Sequence, residues 1–318
     1  MLTNEQQNIR RSGIGASEIG AIAGLSRWAS PMDVWLRKTG RDTPRETTAM
    51  RRGTQLEPVV LSIYADETGE TVTAPGALWP NGGTLRHPEH PIVLATPDGV
   101  VCRDGAPAWL VEAKTARAHM GREWGPSETG AAPDVYVAQV TWQMACAGLP
   151  RADIAVLIGG DEFRRYPVAY DAELFAMLLE CAEQFWRDHV ETDTPPAIDG
   201  SDACAQYLAT KHARESKAIA KADAELENVA RLLASATLDA KAAERIIGEC
   251  QNRMKAAIGD CEAITGEGWR ATWKTPSASK TTDWKAVAAS LGATSEIVAK
   301  HTTEKPGSRR FLFTAPKD

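Results

Sequence analysis

The run Thr96-Pro97-Asp98-Gly99, followed by Val111-Glu112-Ala113-Lys114, constrains this chain more than any other stretch. Pro-Asp-Gly is turn chemistry set between two apolar runs. The second segment is short and strand-like. Side chains on a strand alternate faces, so Glu112 and Lys114 point one way and Ala113 the other. An Asp and a Glu converging on one face make an oxygen site suited to Mg²⁺. A lysine beside them can orient an attacking water or help take its proton. That is equipment for hydrolysing a phosphodiester. On its own, E-x-K is also the pattern of a solvated charged pair on a surface strand, so its meaning depends on the rest of the chain.

The 318 residues suffice for one large domain with an appendage. A net charge of −6 excludes a chain that binds nucleic acid through its overall charge, so any DNA contact needs a local basic patch. Residues 1–52 offer one, with nine Lys or Arg (Arg10, Arg11, Arg27, Arg37, Lys38, Arg41, Arg45, Arg51, Arg52) against five acids. The same residues would also suit a solvated helical surface. Six scattered cysteines without a C-x-x-C argue against structural zinc or an iron–sulfur cluster and for a reducing cytoplasm. The polar start and the lack of any apolar run near the roughly 20 residues of a bilayer span predict neither a leader nor a membrane segment.

Ser17 is a candidate N-cap for a helix over 18–23, closed by Gly24. Ser30-Pro31-Met32-Asp33 is a stronger start signal, for a helix ended by Gly40. Leu56, Val60, Ile63 and Tyr64 follow helical spacing and predict a helix over 54–68, with Glu57 near its beginning. Short strands are predicted at Thr71–Thr73, Ile92–Ala95, Val100–Cys102 and Trp109–Lys114. A helix from Asp134 to Ala147, strands at Ile154–Ile158 and Arg164–Ala169, and an amphipathic helix after Asp171 complete an α/β pattern with a mixed sheet. Thr192-Asp-Thr-Pro-Pro196 breaks it, which gives a first domain over 1–195. Over 196–265, Ile219, Leu226, Leu233, Ala240, Ile247 and Met254 recur every seven residues, with Ala222, Val229, Ala236, Ala243, Cys250 and Ala257 three later. This predicts a coiled coil. Ser235 to Asp239 would alternatively cap a second helix and make an antiparallel pair. A small β-α-β tail is expected over 266–318, with a last strand at Phe311–Thr314. His87-Pro-Glu-His90 lacks further ligands and reads as surface, and Trp124 and Trp142 read as packing residues.

Four segments stand in a telling order: Arg10-Arg-Ser-Gly-Ile-Gly-Ala-Ser17; Gly53-Thr-Gln-Leu-Glu57-Pro58; Pro97-Asp98-Gly99 with Glu112-Ala-Lys114; and Gln139-Val-Thr-Trp142-Gln143-Met144. With them, residues 8–190 resemble the YqaJ viral recombinase family, phage lambda exonuclease-like members of the PD-(D/E)xK nucleases. The resemblance implies a restriction-endonuclease-like core, with helices flanking a mixed central sheet. It implies that Asp98, Glu112 and Glu57 belong to a metal site, with the Ala113 carbonyl as a further ligand. Lys114 would be the catalytic lysine and Gln139 an active-site residue, with Gln143 one turn later as the alternative. An Arg and a Ser seven residues apart hold the substrate's 5′-phosphate in such nucleases. Arg10 and Ser17 have that spacing, and Arg11 is the near competitor. The implied cofactor is Mg²⁺, with Mn²⁺ able to replace it.

The activity implied is 5′→3′ exonucleolytic digestion of one strand of linear duplex DNA, releasing 5′-mononucleotides and leaving 3′ single-stranded tails. The implied setting is phage-type recombination in a bacterial cytoplasm, with a single-strand annealing protein as partner and a ring-like homo-oligomer as the assembly. Two other readings stay open from sequence: an endonuclease or single-strand nuclease on the same fold, and an inactive DNA-binding or scaffold protein whose main feature is the coil. In physical terms the set is coherent, because crowded carboxylates repel one another and a divalent cation relieves that repulsion. A partly desolvated Lys114 would be expected to have a lowered pKa, or else to act as a fixed positive charge.

Overall fold

The computed structural model describes residues 9–41, 48–215, 218–267, 269–275 and 282–303. The chain divides into two compact units, Met1–Thr210 and Lys211–Asp318.

The first unit is built on a five-stranded mixed sheet, in the order β2 (Val72–Thr73), β5 (Gly99–Arg103), β6 (Ala106–Ala116), β7 (Arg151–Ile158), β8 (Glu162–Ala169). Only the central β6–β7 pair is parallel, and α4 (Asp134–Ala147) forms the crossover between them. A smaller sheet pairs β1 (Ile14–Gly15) parallel to β4 (Val93–Ala95), which in turn pairs with β3 (Leu85–Arg86). The expected α/β architecture, a mixed central sheet flanked by helices, is what the chain adopts.

Alternation along β6 distributes its side chains between two apolar layers. Leu110 joins Val140, Met144, Ile154 and Val156 beneath α4. Val111 joins Val60 and Tyr64 of α3 (Thr48–Thr68), together with Ala155 and Leu157, on the opposite face. A third cluster holds α1 (Ala16–Ile22), α2 (Pro31–Lys38) and α5 (Ala172–Phe185) against the small sheet around the fully buried Trp142. The Trp142 indole N–H donates to both Ile14 O and Leu94 O at 3.2 Å, which ties α4 to β1 and β4. Trp124, 5% exposed, is likewise a packing residue. The Gly in Arg10-Arg-Ser-Gly-Ile has a steric reason, since a Cβ on Gly13 would sit 2.5 Å from Ile92 O where the two segments meet.

Several expectations need correction. The helix carrying Glu57 begins at Thr48, so Glu57 lies in its interior just ahead of Pro58 rather than near its start. Ser17 does not cap α1. Gly15 precedes the helix, and its N–H is taken by the Glu18 carboxylate at 2.8 Å. Much of the N-terminal basic patch is neutralised internally. Arg27 pairs with Glu123, Arg41 with Asp193, and Arg37 and Lys38 with Glu18. Arg45 lies outside the described residues.

Asp153 on β7 is fully buried. Arg151 donates to both its oxygens at 2.8 Å, and the Tyr64 hydroxyl donates to Oδ2 at 2.6 Å. The Trp109 indole N–H then donates to Tyr64 Oη at 3.0 Å. The network fastens α3 to the sheet. Tyr64→Phe should therefore lower unfolding stability by about 1–3 kcal/mol, because Trp109 and Asp153 each lose a partner inside the fold. Denaturant titration with an unchanged midpoint would show that the network adds nothing.

Past Pro196, α6 (Asp202–Lys211) still belongs to the first unit's core. Cys204 is buried there, with Tyr207 and Leu208 packed beside it. The second unit contains one continuous helix, α7 (Ala224–Ile258), then the antiparallel pair β9 (Ala263–Gly266) and β10 (Trp269–Thr272), then α8 (Trp284–Ser290) and α9 (Ser295–Lys300). The helix does not break at Ser235–Asp239, and the Thr237 hydroxyl donates back to Leu233 O at 2.7 Å instead of capping a second helix. Ile219 and Ala222, the first heptad positions, precede the helix. The expected strand at Phe311–Thr314 falls outside the described residues. Among the described residues no helix is long and apolar enough to cross a membrane.

Candidate active site

β6 and the turn before β5 bring the two acids together. Asp98 immediately precedes β5, and its Oδ2 accepts the Ala113 N–H at 2.9 Å, pinning the Pro-Asp-Gly turn to the neighbouring strand. Glu112 and Lys114 share the α4 side of β6, and their side chains meet at 2.5 Å. From α4, Gln139 Nε2 donates to Glu112 Oε1 at 2.5 Å and Gln143 Nε2 to Glu112 Oε2 at 2.7 Å. Positions 139 and 143 lie one turn apart on one helix face, so both glutamines reach the same carboxylate.

Arg10, Ser17, Glu57, Asp98, Glu112, Ala113, Lys114, Gln139 and Gln143 all line one cleft of about 470 Å³. Within it, Arg10 donates to the Ser17 hydroxyl at 3.3 Å. Arg11 is exposed and does not line the cleft. The backbone at Arg10 is fixed by Lys38, whose ammonium donates to Arg10 O at 2.6 Å and meets Glu18 at 2.5 Å. Glu18 occupies the Gly15 N–H, and the Arg10 guanidinium and the Ser17 hydroxyl are side-chain donors lining this part of the cleft. Burial pulls the Lys38 pKa down against the opposing pull of Glu18.

Sequence reasoning missed Glu18, Lys38 and Tyr136. Glu18 had a signal, an acid three residues after the residue that begins the helix. Tyr136 had one too, one turn before Gln139 on the same helix face. Its ring lies 5.1 Å from the Lys114 ammonium, a cation–π distance.

The electrostatics are those of crowded carboxylates. Burial, then the charges of Glu112 and Glu57, push the Asp98 pKa well above the usual carboxylate range against the opposing effect of Lys114. Glu57 shifts upward too, through burial first and Glu112 second. Lys114 departs from expectation. Burial draws its pKa down, but Glu112 and Asp98 outweigh that, and the net shift is upward. With the carboxylates as they stand, Lys114 is a firmly charged ammonium.

The donor chemistry fits a hard divalent cation, with three carboxylates and a backbone carbonyl, all oxygen. The crowding is what a cation would relieve. Gln143 Oε1 is buried without a partner, which leaves an acceptor free at this point. Among the described residues no group of three or more His, Cys, Asp or Glu is drawn closely enough to hold an ion. Both oxygens of Glu112 are already hydrogen-bonded.

A family model described as the YqaJ-like viral recombinase domain matches residues 5–150, which include all nine cleft residues named above. Over 299 residues the chain is 31% identical to the uncharacterized protein YqaJ of Bacillus subtilis (strain 168), covering 92% of this chain and 89% of that protein. The chain belongs to the YqaJ family. Among solved structures, it is similar to an alkaline exonuclease (LHK-Exo) from Laribacter hongkongensis, at 22% identity and a TM-score of 0.46, covering 66% of this chain and 98% of that one. A putative exonuclease from Eubacterium rectale shares 14% identity at a TM-score of 0.41, covering 70% and 96%. Within this YqaJ family chain, the family match ends at residue 150, so Asp153, its partner Arg151 and the whole second unit lie beyond it, while Tyr64 and Trp109 lie inside it.

Proposed function

We propose that this protein is a metal-dependent deoxyribonuclease that digests one strand of linear duplex DNA from a 5′-phosphorylated end, leaving a 3′ single-stranded tail. One observation carries the reading. Asp98, Glu112 and Lys114 share a cleft with Arg10 and Ser17, so charge for a scissile phosphate and donors for a terminal phosphate lie in the same space. A nuclease that cut internally would have no use for the second group.

Asp98, Glu112 and Glu57, with the Ala113 carbonyl, would hold Mg²⁺ or Mn²⁺. When bound, such an ion neutralises charge on the scissile phosphate and makes water a better nucleophile at neutral pH. The chain's own residues do the rest. Arg10 and Ser17 hold the terminal phosphate by charge-assisted hydrogen bonds and so set the distance to the scissile bond. Lys114, kept charged by Glu112 and Asp98, stabilises the negative charge that builds on the phosphoryl oxygens. Gln139 and Gln143 hold Glu112 in one rotamer and keep its carboxylate aimed along β6.

In the proposed setting the tail serves phage-type recombination in a bacterial cytoplasm. A single-strand annealing protein takes over the product, and the nuclease works as a ring-like homo-oligomer. The deciding experiment is a time course on end-labelled linear duplex, with and without a 5′-phosphate, in Mg²⁺, in Mn²⁺ and in EDTA. Mononucleotide release that requires the cation and favours the phosphorylated end is expected. Equal cleavage of circular and linear duplex would replace this reading with an endonuclease, and no digestion under either cation would leave a DNA-binding scaffold. Arg10→Ala should lower the preference for 5′-phosphate by roughly ten- to hundredfold, the worth of a charge-assisted hydrogen bond. A preference that survives intact would remove Arg10 from the phosphate site.

A further inference from the structure

The long helix of the second unit carries an exposed apolar seam. α7 runs for 35 residues, about 50 Å, and among the described residues Ile258 at its C-terminal end is the one that is buried. Leu226, Val229, Leu232, Ile246 and Ile247 are each more than half exposed. In the seven-residue repeat, Leu226, Leu233, Ala240 and Ile247 take one seam position, and Val229, Ala236, Ala243 and Cys250 take the other. Leu232 and Ile246 flank that seam, whereas Leu238 lies on the outer face. A helix in water draws most of its stability from packing such a stripe, so the seam calls for a partner helix.

The sizes and charges along the seam say which helix fits. Two copies of α7 laid antiparallel are complementary. With Leu226 of one against Cys250 of the other, the same register sets Leu233 against Ala243, Val229 against Ile247 and Ala236 against Ala240. A large residue meets a smaller one in the outer layers, and alanines meet in the two central ones, which lets the axes approach to about 8 Å. A two-fold axis repeats every layer, so the seam is continuous from Leu226 to Cys250. The flanks agree with this register. Glu225 meets Arg253 of the second copy at both ends, and Leu232 meets Ile246. Arg253 now pairs with Glu249 on its own helix at 2.6 Å, an exposed contact that contributes little and is readily exchanged. One flanking pair opposes the arrangement, because Asp239 faces its own counterpart across the axis. A parallel pair fits less well. It stacks Leu226 and Leu233 on themselves, then leaves Ala236, Ala240 and Ala243 as three thin layers in succession, and it sets Asp239 beside Glu244 on both sides.

We propose that α7 binds a second copy of itself in antiparallel orientation, through the seam from Leu226 to Cys250. The pairing rests on no part of the proposed nuclease activity.

The test uses the full chain. Leu226 and Cys250 lie about 36 Å apart along one helix, so a disulfide between these two positions must join two copies. Leu226→Cys, treated with oxidised glutathione, should form that link to Cys250, identified by peptide mass spectrometry. Leu238→Cys, on the outer face, should not. In sedimentation equilibrium, Ile247→Glu should weaken association roughly a hundredfold, because the pair would bury two unpaired charges, and it should abolish the link when added to Leu226→Cys. Leu238→Glu adds the same charge off the seam and should leave association unchanged. Asp239→Asn should tighten it by about two- to fivefold, since the opposed charges on the axis disappear. A Cys250–Cys250 link in the wild-type chain would make the pair parallel and overturn the proposal. So would the absence of any link from Leu226→Cys to Cys250, which would leave the seam to another protein or to another part of this chain. The digestion assay decides the nuclease separately.

Discussion

Lys114→Ala is expected to slow duplex digestion by roughly 10²–10⁴-fold while leaving end binding within a few-fold of wild type. The expectation follows from where the ammonium sits. It shares a strand face with Glu112, meets it at 2.5 Å, and is held charged by Glu112 and Asp98 together. In the proposed mechanism a charge fixed there acts on the transition state and contributes little to binding the DNA end, which is assigned to Arg10 and Ser17. The loss should therefore appear in single-turnover rates and not in Kd. Gln139 and Gln143 still hold both oxygens of Glu112 in the variant, so the loss does not come from local collapse. Turnover near wild type would strip Lys114 of its role.

Asp98→Asn should have two opposite effects. The folded state raises the Asp98 pKa above its unfolded value of about 3.9. The stability linked to this group is therefore fully present below the unfolded pKa and is lost as pH rises through the folded one. Above that folded pKa, without a cation, the ionised carboxylate is a burden. Asparagine removes the charge and still offers an oxygen to the Ala113 N–H. The metal-free variant should thus melt higher, by about 2–4 °C for each kcal/mol of repulsion relieved, and its stability should vary less with pH above the ordinary Asp range. Mg²⁺ should then give the variant little of the thermal protection it gives the wild type, and digestion should fall in parallel. Equal protection in both would take Asp98 out of the ligand set.

The parts of the fold written in local pattern were legible. Asp134–Ala147 forms a helix over the predicted bounds, and Ser30 and Asp33 cap α2 reciprocally. The one-sided placement of Glu112 and Lys114 followed from the pleat alone. Other features depend on distant partners and left no local trace. β1 and β3 are two residues long and exist because other segments pass alongside them. Glu57 was misplaced because the apolar spacing that signals the helix starts only at Leu56, whereas the helix begins at Thr48 and runs on through Pro58. The upward shift of Lys114 needed the actual distances, because burial and the carboxylates pull in opposite directions and only geometry says which wins. The Ser235–Asp239 segment has capping residues without a cap, since the flanking apolar positions keep the helix running.

The hydrogen bonding of Glu112 has a further consequence. Lys114 on one side and two amides on the other engage both oxygens of Glu112. If Glu112 is a ligand as proposed, a cation would have to displace some of these partners to reach its oxygens. The free-ion concentration needed for the proposed activity would then depend on those three side-chain contacts as well as on the proposed ligands.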